Sequence, residues 1–304
     1  MTSAVTVRVP GKINLQLSVG PLHSNGFHPV ATVFQAVSIF DDVRVSVTDE
    51  PGIHLNSTGK HLDHLPLDRT NLAFKAAEIM VKKFEIADGI SISLTKEIPL
   101  AGGMAGGSAD AGATIVAIDS LYSLGLKRNE MEQIGAALGA DVPFTISGGT
   151  AIGTGKGEQI TPVLSRGSYS WVLAMSSSGL STPAVYNECD RLREGLDVAP
   201  PHISDSLLHA LSAGDAVALG KALSNDLQPA ACSLKPALRL ILDVGLDYGA
   251  LGGLVSGSGP TVAFLTENED HALDLVVALT SSGVVGNVVR ASGPVPGARV
   301  IESA

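Results

Sequence analysis

Val5, Val7 and Val9 alternate with Thr6 and Arg8, the two-residue period of a strand with one face in a core, and Pro10-Gly11 marks its end. The alternation resumes at Ile13, Leu15 and Leu17, with Asn14, Gln16 and Ser18 on the opposite face, so Lys12 and Asn14 point the same way. Two more strands are predicted over 30–39 and 42–47, and an amphipathic helix over 71–84. A strand at 90–94 runs into a glycine-rich loop. An alanine-rich helix follows to about Leu124, its apolar run carried by Ile115, Ile118 and Leu121. A helix over 130–138 ends at Gly139, and Asp141-Val142-Pro143-Phe144 reads as a turn. The second half begins with a strand at 171–175, which sets a domain boundary near 160. Helices near 207–223 and 236–243 follow, then a strand–turn–strand around Ser256-Gly257-Ser258-Gly259-Pro260, a helix at 272–280 and a strand at 284–290. Residues from about Pro294 are expected to fray.

The loop at 99–109 packs four glycines and a serine between Gly102 and Ser108, directly before a helical pattern. Glycine permits close approach of a ligand to the main chain. A helix start aims unpaired N–H groups and the positive end of the dipole at one point. The combination suits phosphate, and a nucleotide phosphate best. It is not a Walker loop, because Ser108 stands where the lysine belongs, and no G-x-G-x-x-G occurs in the chain. A flexible turn or close helix packing is the plain alternative; the tight junction with the helix favours the phosphate reading.

Composition narrows the class. The 304 residues are 45% hydrophobic and 16% charged, enough for a large core in one or two domains. The net charge of −10 and the lack of any Lys/Arg-rich block argue against a nucleic-acid surface. Cys189 and Cys232 have no metal spacing; two buried thiols in a reducing compartment are the reading, with a disulfide left open. Neither a signal-peptide core nor a bilayer-length apolar run is present, so a soluble cytoplasmic protein without membrane contact is expected. His61 and His64 stand at His-x-x-His spacing, but no acidic or cysteine set completes a metal site.

Three separated elements occur in order: Pro10-Gly11-Lys12-Ile13-Asn14-Leu15, the Pro99–Ala111 glycine loop, and Ser256-Gly257-Ser258-Gly259-Pro260. Together they resemble the GHMP kinase superfamily over essentially the whole chain. Two further signatures, Asn25-Gly26-Phe27-His28-Pro29-Val30 with Phe34-Gln35, and Gly139-Ala140-Asp141-Val142-Pro143-Phe144, narrow the resemblance to members acting on a cytidine diphosphate-linked methylerythritol. The resemblance implies an α+β fold of two domains, 1–162 ribosomal-protein-like and ATP-binding, 163–304 ferredoxin-like and substrate-binding, with the active site in the cleft between them. It implies ATP and Mg²⁺ as co-substrate and cofactor, and transfer of phosphate to the acceptor's 2-hydroxyl in the non-mevalonate route to isoprenoids. A monomer or weak homodimer is expected.

The resemblance also assigns roles. Asp141 is the base for the attacking hydroxyl, although its local sequence alone favours a helix cap or turn residue. Lys12 is its cationic partner, beside the attacking oxygen or the moving phosphoryl group. Pro99, Leu100, Ala101, Gly102, Gly103, Met104, Ala105, Gly106, Gly107, Ser108 and Ala109 wrap the phosphates, and Lys96 and Asn71 approach the adenosine, with Lys96 equally readable as solvated. Asn14, Phe27, His28, Thr182, Tyr186, Gly257 and Ser258 belong to the acceptor site. Phe27 stands where relatives usually carry tyrosine, which keeps the stacking face and drops the hydroxyl; Tyr186 covers the other face of the cytosine or packs in the core. Asp110 replaces an expected asparagine, and a carboxylate there would repel a triphosphate unless it turns away or a cation intervenes. Two alternatives stay open: a homoserine- or mevalonate-type kinase, and a catalytically inactive member kept as a sensor. Retention of both Lys12 and Asp141 speaks against the second.

Overall fold

A computed structural model describes residues 3–304 apart from Asn25, His61, Asp63, His64, Ala101 and Ser177, so the readings of Ala101, His61 and His64 lie outside the described residues. The two alternating runs at the N-terminus form one strand, β1 (Ala4–Val19), not two. It pairs along its length with an equally continuous β2 (Val30–Thr48), expected as two strands. Pro10 does not end β1, because it falls where the register jumps: Pro10 faces Phe40, and Gly11 faces Val37. A bulge is a place where a missing N–H does no harm.

After β3 (Ile53–Gly59) comes α1 (Leu72–Lys83), capped by Asn71, whose Oδ1 accepts from the Ala73 N–H at 2.8 Å. Then follow β4 (Gly89–Lys96), α2 (Gly106–Tyr122), α3 (Arg128–Ala136) and the short α4 (Val142–Ser147). The hairpin β5 (Thr150–Thr154) and β6 (Gln159–Pro162) completes this half. The second half begins with β7 (Tyr169–Met175) and α5 (Thr182–Leu192). The helix expected over 207–223 is two, α6 (Asp205–Ala213) and α7 (Ala216–Ala222), because Gly214 turns left-handed and Asp215 caps a fresh start. The remaining elements are β8 (Ser224–Asn225), α8 (Gln228–Leu234), α9 (Ala237–Asp247), β9 (Gly252–Val255), β10 (Val262–Thr266), α10 (Glu269–Ser281), β11 (Asn287–Gly293) and β12 (Arg299–Ser303).

These strands make two sheets. In the first, β12-β1-β2-β4-β3 are neighbours, with β5 beside β2, β6 beside β5 and β8 against β1. In the second the order is β11-β7-β10-β9, all antiparallel. β7 reads as an unbroken apolar run because both its faces are covered. Trp171 and Leu173 join the core shared with the first sheet, while Val172 and Ala174 pack with Val185, Leu238 and Leu275. The sheets are also tied by polar groups: the Trp171 indole N–H donates to Gln35 Oε1 at 2.9 Å. The expected fraying of the tail is overturned. β12 returns to the first sheet and covers the outer edge of β1, pairing Val5 with Ser303 and Arg8 with Arg299. Cys189 and Cys232 are buried and unbridged. No described helix is long and apolar enough to cross a membrane.

Candidate active site

The two sheets leave a cleft of about 1090 Å³ between them. Its floor is β1, and its phosphate-sized end is the start of α2. Ala105, the residue before α2, is left-handed (φ 60°), and no side chain caps the helix. The Ala109 N–H bonds back to the Ala105 carbonyl at 2.8 Å, so the N–H groups of Gly106, Gly107 and Ser108 precede the helical ladder and stay available to an anion. Gly102, Gly103, Ala105, Gly106, Gly107 and Ser108 line the cleft.

The second glycine cluster holds the first in place. Ser256 Oγ donates to the Gly103 carbonyl at 3.0 Å, and the Thr261 N–H donates to the Gly102 carbonyl at 3.2 Å. Gly103 has φ +76°, and a Cβ there would lie 2.1 Å from the Ser256 carbonyl oxygen. Gly257 brings the same loop over the floor, where a Cβ would sit 3.2 Å from Asn14 Oδ1 and 3.3 Å from Lys12 Nζ. Asn225 pins that loop, its Nδ2 donating to the carbonyls of Val255 and Gly257 at 2.7 Å each.

Lys12 is buried on this floor. Its Nζ donates to Asn14 Oδ1 at 2.7 Å, lies 3.9 Å from Asp141 Oδ2 and stands 5.3 Å from the Phe34 ring centre. Burial lowers the Lys12 pKa, and the Asp141 charge offsets part of that shift. Asn14 is fixed in turn: its Nδ2 donates to Thr32 Oγ1 at 2.7 Å, and that hydroxyl donates to the Gln16 carbonyl at 2.6 Å. Asp141 precedes α4 without capping it, and its side chain is one-third exposed toward the cleft. An accessible carboxylate beside a buried cation can take a proton from a hydroxyl held between them.

The far end of the cleft is aromatic. The His28 and Tyr186 rings are 5.3 Å apart, and burial followed by the Asp141 charge pushes the Tyr186 hydroxyl up to about 12. His28 Nδ1 faces the Gly20 carbonyl at 2.9 Å, so it carries the proton of that bond, and Nε2 lies 3.3 Å from Asp190 Oδ1. Nδ1 is therefore engaged, and Nε2 faces the Asp190 carboxylate. Phe27 is half exposed, with Lys156 Nζ 3.4 Å from its ring centre. Thr182, at the start of α5, and Ser258, in the loop between β9 and β10, share a hydroxyl–hydroxyl bond of 2.8 Å.

The structure thus brings Lys12, Asn14, Phe27, His28, Asp141, Thr182, Tyr186, Gly257 and Ser258 to one cleft with most of the glycine loop. Pro99, Leu100, Met104 and Ala109 stand behind its wall. Met104 and Ala109 are in the core, where the Met104 carbonyl accepts from the Lys12 N–H at 3.1 Å. Lys96 and Asn71 do not reach the cleft. Asn71 is spent capping α1, while its neighbour Leu72 lines the wall. Lys96 is fully buried between Asp41 and Asp110, which also answers where the Asp110 carboxylate points: into the core, behind the glycine loop. Lys156 and Asp190 were missed. Lys156 had a readable signal, a lone cation at the tip of Gly155-Lys156-Gly157; Asp190 had only its place one helical turn after Tyr186.

Comparison with known proteins agrees with this geometry. The models of the GHMP kinase N-terminal and C-terminal domains match residues 71–149 and 207–285. A 4-diphosphocytidyl-2-C-methyl-D-erythritol kinase of Mycolicibacterium gilvum is 51% identical over 99% of this chain and 94% of its own length. One from Nocardia farcinica is 51% identical over 99% and 97%. A crystal structure of 4-(cytidine 5'-diphospho)-2C-methyl-D-erythritol kinase superposes with a TM-score of 0.78 at 30% identity, covering 94% of this chain and 98% of that one. The chain belongs to the GHMP kinase family, beside the 4-diphosphocytidyl-2-C-methyl-D-erythritol kinases it matches over almost its full length.

Proposed function

We propose that the chain transfers the terminal phosphoryl group of ATP to the 2-hydroxyl of 4-diphosphocytidyl-2-C-methyl-D-erythritol, a step of the non-mevalonate isoprenoid pathway in the cytoplasm. The observation that carries this reading is the Lys12–Asp141 pair, 3.9 Å apart, placed between a phosphate-binding helix start and an aromatic base site. Near-full-length relatives at 51% identity bear the name of that kinase.

The triphosphate lies along Gly102–Ser108, its negative charge facing the N–H groups and dipole of α2. The cytosine stacks between Tyr186 and Phe27, and His28 with backbone groups reads the base edge. The 2-hydroxyl then rests near Lys12 and Asp141. Asp141 accepts its proton as the oxygen attacks phosphorus, one P–O bond forms, and the bond to ADP breaks. Lys12 offsets the charge that grows on the transferring group, and it does so strongly because it is buried. Among the described residues no group of three His, Cys, Asp or Glu gathers as a metal site, and a bound Mg²⁺ would supply charge neutralisation beside the triphosphate.

The test is coupled ADP release with this acceptor, with homoserine and mevalonate as controls. Turnover with the cytidyl acceptor alone is expected; turnover with another acceptor only would discard the cytosine pocket. Asp141→Asn is expected to lower kcat by roughly 10²–10⁴-fold while nucleotide binding stays near the wild-type value. Full turnover in that variant would remove the base assignment.

A further inference from the structure

Asp41, Lys96 and Asp110 form a buried ionic group that the proposed reaction does not use. Their side chains are at most 1% exposed. Lys96 Nζ bonds Asp41 Oδ2 and, at 2.6 Å, Asp110 Oδ2, and it lies 3.4 Å from the carbonyl of Gly106, the first residue of α2. Asp41 Oδ1 accepts from the N–H groups of Glu97 and Ile98 at 2.6 and 2.9 Å. The bridge therefore clamps both ends of the glycine loop: the chain that enters it after β4, and the helix that leaves it.

The two carboxylates are not equivalent. Asp41 has both oxygens satisfied, as an anion requires. Asp110 has one bonded oxygen, and its Oδ1 is buried without a partner. A single lysine faces both carboxylates, and an uncompensated buried charge is costly. Asp110 also sits four residues into α2, about 6 Å along the axis from Gly106, on the helix whose N-terminal N–H groups face the cleft. A full negative charge there opposes a phosphate at the helix start.

We propose that Asp110 is a positioning residue that sets how tightly the glycine loop holds a triphosphate: neutral, it joins Lys96 to α2 without opposing the anion, and ionised, it weakens nucleotide binding from behind the loop. This rests on reading the loop as the nucleotide site. Burial pushes the Asp110 pKa up, Lys96 of β4 pulls it down, Asp41 of β2 adds to the rise, and the result is about 8. The neighbouring α1 presents Ala73, Ala76 and Ala77 as its buried face, with Met80. Asp110 thus loses its proton as pH rises through the range in which the triphosphate itself is already fully charged.

The experiment is equilibrium binding of a fluorescent ATP analogue with Mg²⁺, without acceptor, from about pH 7 to 9.5, for the wild type and Asp110→Asn. Lys12 also loses charge on the alkaline side and acts in both proteins, so the readout is the ratio of the two dissociation constants. That ratio, wild type over variant, is expected to rise about three- to tenfold over the range, as one added buried charge implies. A ratio that stays constant overturns the proposal, even if the variant is less heat-stable, because a purely structural role changes stability and not the slope. A wild-type constant that does not move with pH overturns it without the variant. Folded wild type that binds no nucleotide at any pH removes the nucleotide reading and this proposal with it; binding without the pH-dependent ratio removes this proposal alone.

Discussion

At the scale of single residues, Lys12 shows how a cost in one state serves another. Its ammonium is buried, and burial lowers its pKa below the ordinary 10.5 against the opposing pull of Asp141. The charged form is thus the one the fold pays to keep, and it is lost as pH rises through the lowered value. The alkaline limb of kcat/KM, which reports the free enzyme, is therefore expected below pH 10.5, and Lys12→Gln, which carries no charge at any pH, is expected to lose nearly all turnover. A limb of kcat/KM at or above 10.5 would show that burial does not lower Lys12 in the free enzyme. The shared direction of Lys12 and Asn14 was legible from two-residue alternation, and the structure joins them at 2.7 Å. Lys96 was not legible. Its partners lie 55 and 14 residues away along the chain, and nothing local distinguishes a lysine ending a strand in water from one ending it in a core.

Among elements, the junction of loop and helix carries the nucleotide end, and its glycines are not alike. Gly103 has a left-handed backbone and abuts the Ser256 carbonyl, so Gly103→Ala sets Cβ against backbone that cannot yield. It is expected to cost about 2 kcal/mol or more in denaturant unfolding and to weaken nucleotide binding through the displaced loop. Gly107 lies within α2, and a methyl added there would meet only Leu72 Cδ1, at 3.7 Å. Gly107→Ala is expected to leave stability unchanged or to raise it by up to about 1 kcal/mol, yet to weaken binding of ATP where phosphates approach the bare backbone. Equal nucleotide affinity in wild type and Gly107→Ala would place the phosphates elsewhere along the loop. The loop and its helix were readable because their signals are local. The unbroken β1 was not, because Pro10-Gly11 is a stop signal in isolation and becomes a bulge only opposite the Phe40–Val37 jump of β2.

For the whole molecule, the cleft exists because two sheets are held at a fixed relation, and the chain secures it by returning on itself. The second half leaves the first sheet after β6, touches β1 again through the short β8, and builds the four-stranded second sheet and most of the helices. It then sends β12 back to the edge of β1, the strand that carries Lys12 four residues beyond its last pairing with the tail at Arg8. No local pattern announces such a return: every residue of β12 is solvent-exposed, so its period has no buried face to display. What it contributes is ladder pairing, with the Ser3 and Ala4 N–H groups also held by the Ala304 carbonyl. Deleting 299–304 strips those bonds and opens the β1 edge at residues 5–8. The loss is expected at roughly 2–4 kcal/mol, several ladder bonds at their net worth, read as a lower midpoint in denaturant unfolding. Because no residue of β12 lines the cleft, kcat and both KM values at low temperature are expected to hold. The bared edge should in addition promote association of the truncated chain on warming, seen by light scattering below the unfolding midpoint. An unchanged midpoint would mean that β1 is held sufficiently by β2 and β8; a lost kcat with an intact fold would mean that the tail sets the position of Lys12.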